Sequence, residues 1–406
     1  MRKRQKIFIA SILCIVLLFV LTQAEGIKEK ANTSEESKFK HGQKWKIAYC
    51  GMNKSSNHVS NMKAIINGFE SSGWLTKKNE RKGEYPEAKE GSWDNTPFWK
   101  YLSSQGASKY IEFQKDAYFF PTEKEMKDLD AFTHKTVETI NARGDIDLLI
   151  VMGTIAGEKL TDKGLNTKMM VFSTNNAVAS GIVDGIKDSG KDKVWAHMYP
   201  ERFKNQLRVF YDTFKFEKLG IIYEDTPTGK VIGAVDDVEA VAKEKGFQIV
   251  ERHIEDKDEQ TDIKNFKEKA FYKETLKAYE ELAQQVDAVY ISLYNARSYD
   301  MVESLMQPFY EKGIPVFASH GINVQYGMLM SVTDMSDAGL GSFYANAIER
   351  GLKEDSLRNI DQVYNTAPKI IINLEAAKRT NYKVPFEVML VADEIHTTIN
   401  KPEIKP

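Results

Sequence analysis

Six places in the chain put polar or hydroxyl-bearing residues at or just after the end of a short apolar run. Asn53, Ser55 and Asn57 follow residues 46–52, Gly153 and Thr154 follow 147–152, and Asn176 closes the polar string after 169–172. Tyr223 ends the run at 219–223, Tyr294 and Asn295 come just after 288–291, and Ser319 and His320 follow 315–318. Amides and hydroxyls both donate and accept hydrogen bonds, and a tyrosine offers a flat apolar face with a polar tip. The chemistry of such a set is recognition of a small molecule. In open α/β sheets ligands sit beyond the carboxyl ends of the strands, which is where these residues fall if the apolar runs are strands. Simpler roles compete at several of them. Gly153-Thr154 opens a helix whose free N–H groups suit an anion, yet Thr154 is also a natural N-cap. Asn176 either caps the next helix or lines a cleft, and His320 is either a structural histidine or a ligand contact.

Machinery for covalent chemistry is missing. No G-x-G-x-x-G follows the first apolar run, and there is no P-loop, H-E-x-x-H or G-x-S-x-G. The seven histidines are scattered without metal-ligand spacing. Acidic pairs at 236–237 and 255–256 lie in polar runs and read as solvated faces. We therefore expect no enzyme, no cofactor and no metal. A formal net charge of -2, with no basic stripe interleaved with aromatics, gives no support for nucleic-acid binding.

The elements that position these residues alternate. Short β-branched or aromatic runs at 46–52, 110–113, 147–152 and 169–172 are separated by helical patterns, including one over 122–143 with Thr122 and Glu125 at capping-box spacing. The pattern restarts with strands at 194–198, 219–223 and 247–250 and helices at 201–214, 229–246 and 264–285. Residues 287–341 then carry three successive strand-like runs with polar ends, which read as one wall of a cleft and a crossing between two lobes. A helix at 337–351 and a strand at 370–374 follow. Such alternation argues for parallel sheets, and 406 residues exceed one ordinary core. The expected fold is α/β, with two doubly wound Rossmann-like lobes joined by hinge strands. We place the first lobe at 45–175 plus 330–355 and the second at 176–329 plus 356–396. Residues 75–109 form a charged insertion whose Trp93, Phe98, Trp99 and Tyr101 read as a small satellite core.

The first 24 residues have a different character. A basic prefix precedes an almost uninterrupted apolar run at 7–21, and Thr22-Gln23-Ala24 supplies small residues for cleavage after Ala24. The run is shorter than the ~20 residues of a comfortable membrane span. It reads as a signal peptide or a retained anchor, followed by a flexible tether at 25–44. The protein is thus expected outside the cytoplasm, periplasmic or extracytoplasmic, touching the membrane only through this segment. Once the signal is removed Cys50 stands alone, and no internal disulfide can form.

Taken in order, the pieces VMGTIAG, VFSTNNAVASGIV, KLGIIYEDTPTG, DAVYISLYN, IPVFASHGINVQYGML and IIINLEAAKRTNYKVPFEVMLVADEI have a familiar arrangement. Over residues 46–395 the chain resembles the substrate-binding proteins of ABC transporters with the type 1 periplasmic-binding fold, in the group that includes tryptophan/tyrosine-binding members. The resemblance implies lobes that close on a small-molecule ligand, an amino acid or an aromatic compound, and deliver it to an ABC permease. It carries contacts over to Gly153, Thr154, Asn176, Tyr223, Tyr294, Asn295, Ser319 and His320. Asn176-Ala177 stands where an Asp-Pro pair is expected, and Tyr294-Asn295 where an acidic residue is expected. A membrane-tethered sensory protein with the same ligand site is the alternative.

Overall fold

A computed structural model describes residues 40, 43–80, 94–104, 106–255, 270–292, 299–333, 338–364 and 368–400. The expected signal or anchor, most of the tether, Trp93, Tyr294 and Asn295 lie outside these residues. Among the described residues the strands form two sheets.

The first sheet holds β1 (Trp45–Gly51), β2 (Ile111–Phe119), β3 (Leu148–Met152), β4 (Lys168–Phe172) and β5 (Val194–Ala196) in the order β2-β1-β3-β4-β5, all parallel. Strands β1, β3, β4 and β5 are largely apolar on both faces because helices cover both, whereas the edge strand β2 exposes Glu112, Lys115 and Asp116. Ile47, Tyr49, Leu148, Ile150, Met170, Phe172 and Trp195 enter one core, under α1 (Ser56–Ser71) and α2 (Thr96–Leu102). Their alternating neighbours Ala48, Cys50, Leu149, Val151, Met169, Val171 and Ala196 enter the other, under α3 (Leu129–Arg143) and α4 (Thr154–Leu160). Phe98 and Trp99 are buried in the first of these cores, with Trp99 5.7 Å from Tyr49, so they extend the main core and form no separate satellite.

The capping box exists but caps a smaller element. Glu125 accepts from the Thr122 backbone N–H and hydroxyl at 3.0 and 2.9 Å, around a 3-10 turn at Glu125–Lys127. The long helix is started separately by Asp128, whose carboxylate accepts from the Ala131 N–H at 2.9 Å.

The second sheet is built from β6 (Lys218–Tyr223), β7 (Gln248–His253), β8 (Ala288–Ile291), β9 (Val316–Ala318), β10 (Met330–Thr333), β11 (Lys369–Asn373) and β12 (Glu394–His396). Their order is β12-β11-β10-β9-β8-β6-β7, and only the β10/β11 pairing is antiparallel. Along the chain α5 (Arg202–Phe214), α6 (Pro227–Ile232), α7 (Val235–Lys245), α8 (Ala270–Leu282) and α9 (Tyr299–Lys312) belong with it. The single helix expected over 229–246 is two, divided where Ala234 takes φ 55°.

After β10 the chain returns to the first lobe. Leu340, Tyr344, Ile348 and Leu352 of α10 (Ala338–Lys353) lie in the same core as Ile47 and Phe172. Here α10 crosses α1 glycine on glycine: a Cβ on Gly68 would lie 1.9 Å from the Gly341 carbonyl oxygen. The chain then goes back to β11, α11 (Leu374–Arg379), α12 (Phe386–Val391) and β12. Sheet membership does not follow the expected divisions. β5 hydrogen-bonds to β4, and Trp195 packs 5.3 Å from Phe172 and 6.1 Å from Phe343, which holds residues up to 198 on the first sheet. Leu357 and Ile360 also stay in the first-lobe core, while β10 belongs to the second sheet.

Candidate ligand-binding site

Between the two sheets lies a cavity of about 280 Å³. The first lobe supplies Asn57, Ser60 and Asn61, which share a face of α1 at helical spacing. Ser55 begins that helix, its Oγ accepting from the Asn57 N–H at 3.2 Å. Past β4, Ser173 takes φ 62°, and the turn brings Ser173, Thr174 and Asn175 to the cavity. The Thr174 hydroxyl donates to the His197 carbonyl at 2.9 Å. Asn175 reaches across, its Nδ2 donating to the Ile232 carbonyl on α6 at 3.1 Å. A second contact between the lobes joins the Thr228 hydroxyl to the Glu158 carboxylate at 3.0 and 3.1 Å.

The second lobe brings Arg202, the first residue of α5; His320 and Gly321, after β9; Thr333, the last of β10; and Ile371, Glu394 and His396 from β11 and β12. Arg202 Nη2 lies 3.2 Å from His320 Nδ1 and donates to the Ser319 carbonyl at 3.4 Å. Glu394 pairs with His396 at 3.0 Å. At the back, the Tyr344 hydroxyl sits between Asn61 Oδ1 and His197 Nδ1, the latter at 2.8 Å. Burial, and then the charge of Arg202, push His197 and His320 down to about 3, so both rings are neutral at physiological pH. The arrangement offers amides, hydroxyls, neutral imidazoles, a guanidinium and a carboxylate. Among the described residues that line the cavity, no nucleophile–base pair is aimed at a substrate position. Among the described residues no group of His, Cys, Asp and Glu could hold a metal ion. Burial pushes the Cys50 thiol up to about 12, which leaves it unreactive.

The residues expected at the site are dispersed. Of the described ones, His320 lines the cavity. Ser319 lies directly behind it, fully buried, its hydroxyl donating to the Ser292 carbonyl at 3.1 Å and its carbonyl accepting from Gln206 at 2.9 Å. Ser55 acts as a cap, as described. The Asn53 carbonyl bonds His58 Nδ1 at 3.1 Å. Gly153, at φ 96°, makes room for the His58 ring, since a Cβ there would lie 2.7 Å from His58 Nε2. Gly153, not Thr154, is the N-cap of α4, and the Thr154 hydroxyl accepts from the Asn175 N–H at 3.1 Å. Asn176 caps a turn, its Oδ1 accepting from the Ala179 N–H at 3.1 Å. Tyr223 ends β6, which β8 separates from β9, and its hydroxyl donates to Glu251 on β7 at 2.9 Å.

Sequence reasoning did not single out Asn61, His197, Arg202, Tyr344, Glu394 and His396. The polar string after β4 carries a signal for the turn at 173–175, since Ser173, Thr174 and Asn175 directly precede Asn176. Arg202 starts a helix just past the first crossing, and β12 is too short and polar to read as a strand.

Two α/β sheets, a chain that passes between them three times and a polar cavity between the lobes define a two-lobed protein of the type 1 periplasmic-binding fold. Solved structures share that architecture. The ABC domain of a Streptococcus pneumoniae protein in complex with L-Trp superposes with a TM-score of 0.62 at 14% identity, over 87% of this chain and 100% of that one. A conserved domain protein from Vibrio cholerae O1 biovar El Tor gives 0.61 at 15% identity, with the same coverage of 87% and 100%. A ligand-free, open substrate-binding protein with adhesive properties from Clostridium difficile gives 0.55 at 15% identity, again over 87% and 100%. A comparison with curated protein sequences finds no match. The sequence profile of the ABC transporter substrate binding protein family matches residues 124–396, and the chain belongs to that family.

Proposed function

We propose that the two lobes close on a small, polar organic solute held in this cavity, without catalysis, and that the protein hands it to the permease of an ABC importer outside the cytoplasm. The lobes in this reading are residues 45–198 plus 338–364 and residues 202–333 plus 368–396. The observation that carries it is the cavity itself: polar side chains converge on it from both lobes, beside hydrogen bonds that cross the cleft at Asn175–Ile232 and Glu158–Thr228. Family membership and the L-Trp complex of a structural neighbour support a solute-binding role. Asn57, Asn61, Ser173, Arg202 and His320 are the side chains we assign to the solute. The membrane association proposed for residues 1–24 rests on their sequence. Among the described residues no helix is long and apolar enough to cross a membrane.

A thermal-shift screen of the full chain at pH 8, against amino acids, nucleosides, sugars, small carboxylates and short peptides, tests the reading. A solute at 100 times its Kd that binds only the folded state adds about 2.7 kcal/mol, a shift of several degrees. One responding class is the expected result. Turnover of any bound compound would contradict it.

A further inference from the structure

His320 stands where the two lobes meet. Its Nδ1 meets two donors at once: the Asn57 amide of the first lobe at 3.0 Å and the Arg202 guanidinium at 3.2 Å. Asn57 Nδ2 also lies 3.4 Å from the ring's Nε2. A guanidinium can only donate. Nδ1 must therefore present its lone pair, and the single ring proton of the neutral tautomer sits on Nε2. An amide can turn over to accept a proton, but Arg202 has no such option. A second ring proton would point an N–H at a fixed cation. We propose that the cleft closes only on neutral His320, so that protonating this one ring opens the lobes and releases the solute. The inference rests on the closing-lobe reading above and adds a condition to it.

The surroundings offer little to relieve that charge. Arg202 faces the ring from α5. Across the same cavity His197, from the first crossing, is neutral, and Tyr344 from α10 is engaged with it. From β12 come Glu394 and His396, and the carboxylate is occupied by the imidazole beside it at 3.0 Å. Asn57 belongs to the lobe that moves away on opening, whereas Arg202 and His320 belong to the same lobe and stay together. Opening therefore returns water to the ring and takes away Asn57.

Burial, with Arg202 second, pushes His320 down to about 3 where the lobes meet. Opening relieves the larger cause, so the open form holds its proton at higher pH. Closure is fully favoured above the open form's pKa and is lost as pH falls below it, by about tenfold in the closed-to-open ratio for each pH unit.

The test needs no solute. Spin labels on the exposed positions Lys163, just past α4, and Lys230, on α6, report the width of the cleft in the full chain with Cys14 replaced by serine. Between pH 8 and pH 5 the long-distance population should grow in the wild type. It should stay constant in His320→Asn, which keeps an acceptor near the Nδ1 position and does not titrate. His320→Gln serves if the asparagine variant does not melt cooperatively at pH 8. The same pH response in the variant, or none in the wild type, overturns the proposal. Solute binding at pH 8 is measured separately, so the two readings fail separately.

Discussion

From the first lobe the cavity receives Asn57, Ser60, Asn61, Ser173, Thr174 and Asn175, none of them charged; from the second it receives Arg202, His320, Glu394 and His396. The walls also differ in how their groups are held. The charged wall is internally partnered, Arg202 to His320 and the Ser319 carbonyl, Glu394 to His396. The neutral wall is fixed by a helix cap, a turn and a helix crossing, and two of its asparagines reach the other lobe. Moving a neutral amide out of water onto a partner costs far less than moving an unpaired charge. Charge confined to one wall thus keeps the cost of closing small. Under the proposed function, the second lobe would orient the solute and the first would cover it.

Changes to the two lobes should therefore have different consequences. The largest change in stability is expected at the crossing that holds the neutral wall. Gly68→Ala would put a Cβ against the Gly341 carbonyl and should cost about 3 kcal/mol, as overpacking does, read as a lower denaturant midpoint. A smaller effect of opposite sign is expected beside the charged wall. Asp237 on α7 is pushed up to about 6 by burial, with Glu201 and Asp236 adding to it, although Lys204 and Arg208 act the other way. Its folded pKa lies above the unfolded value, so the stability it supports is present at low pH and lost as pH rises through about 6. Asp237→Asn should stabilise the protein by about 1–2 kcal/mol at pH 8 and by almost nothing at pH 4. Melting curves at the two pH values decide it, and equal gains at both would refute the assignment. The smallest effect is at Tyr223. Its hydroxyl bonds Glu251 at the far side of the sheet, so Tyr223→Phe should leave solute affinity unchanged.

Much of the fold was legible in the sequence, because a parallel strand covered on both sides leaves an apolar run of definite length. β1, β3, β4, β6, β8 and β9 were read this way, and the ordered pieces around 287–341 carried the family. The site was legible only where chain order and spatial order agree. His320 follows a strand that ends at the cavity, but Tyr223 follows one placed beyond β8, and nothing in the sequence orders the strands across a sheet. Above the strand end at Gly153 and Thr154, the buried His58 of α1 fills the space. Arg202 comes from a helix start, and Glu394 and His396 from a three-residue strand with no apolar pattern of its own. Tyr294 and Asn295 lie outside the described residues.

If the solute sits between these two walls, as proposed, Arg202 should hold it. Once the screen has named a solute, calorimetric titration of wild type and Arg202→Met at pH 8 gives the ratio of their Kd values. A hydrogen bond to a charged group is worth about 1.5 kcal/mol or more, so binding should weaken by about 10-fold or more. A folded Arg202→Met protein that binds the solute as tightly as wild type would place the solute elsewhere and contradict a site between the two walls.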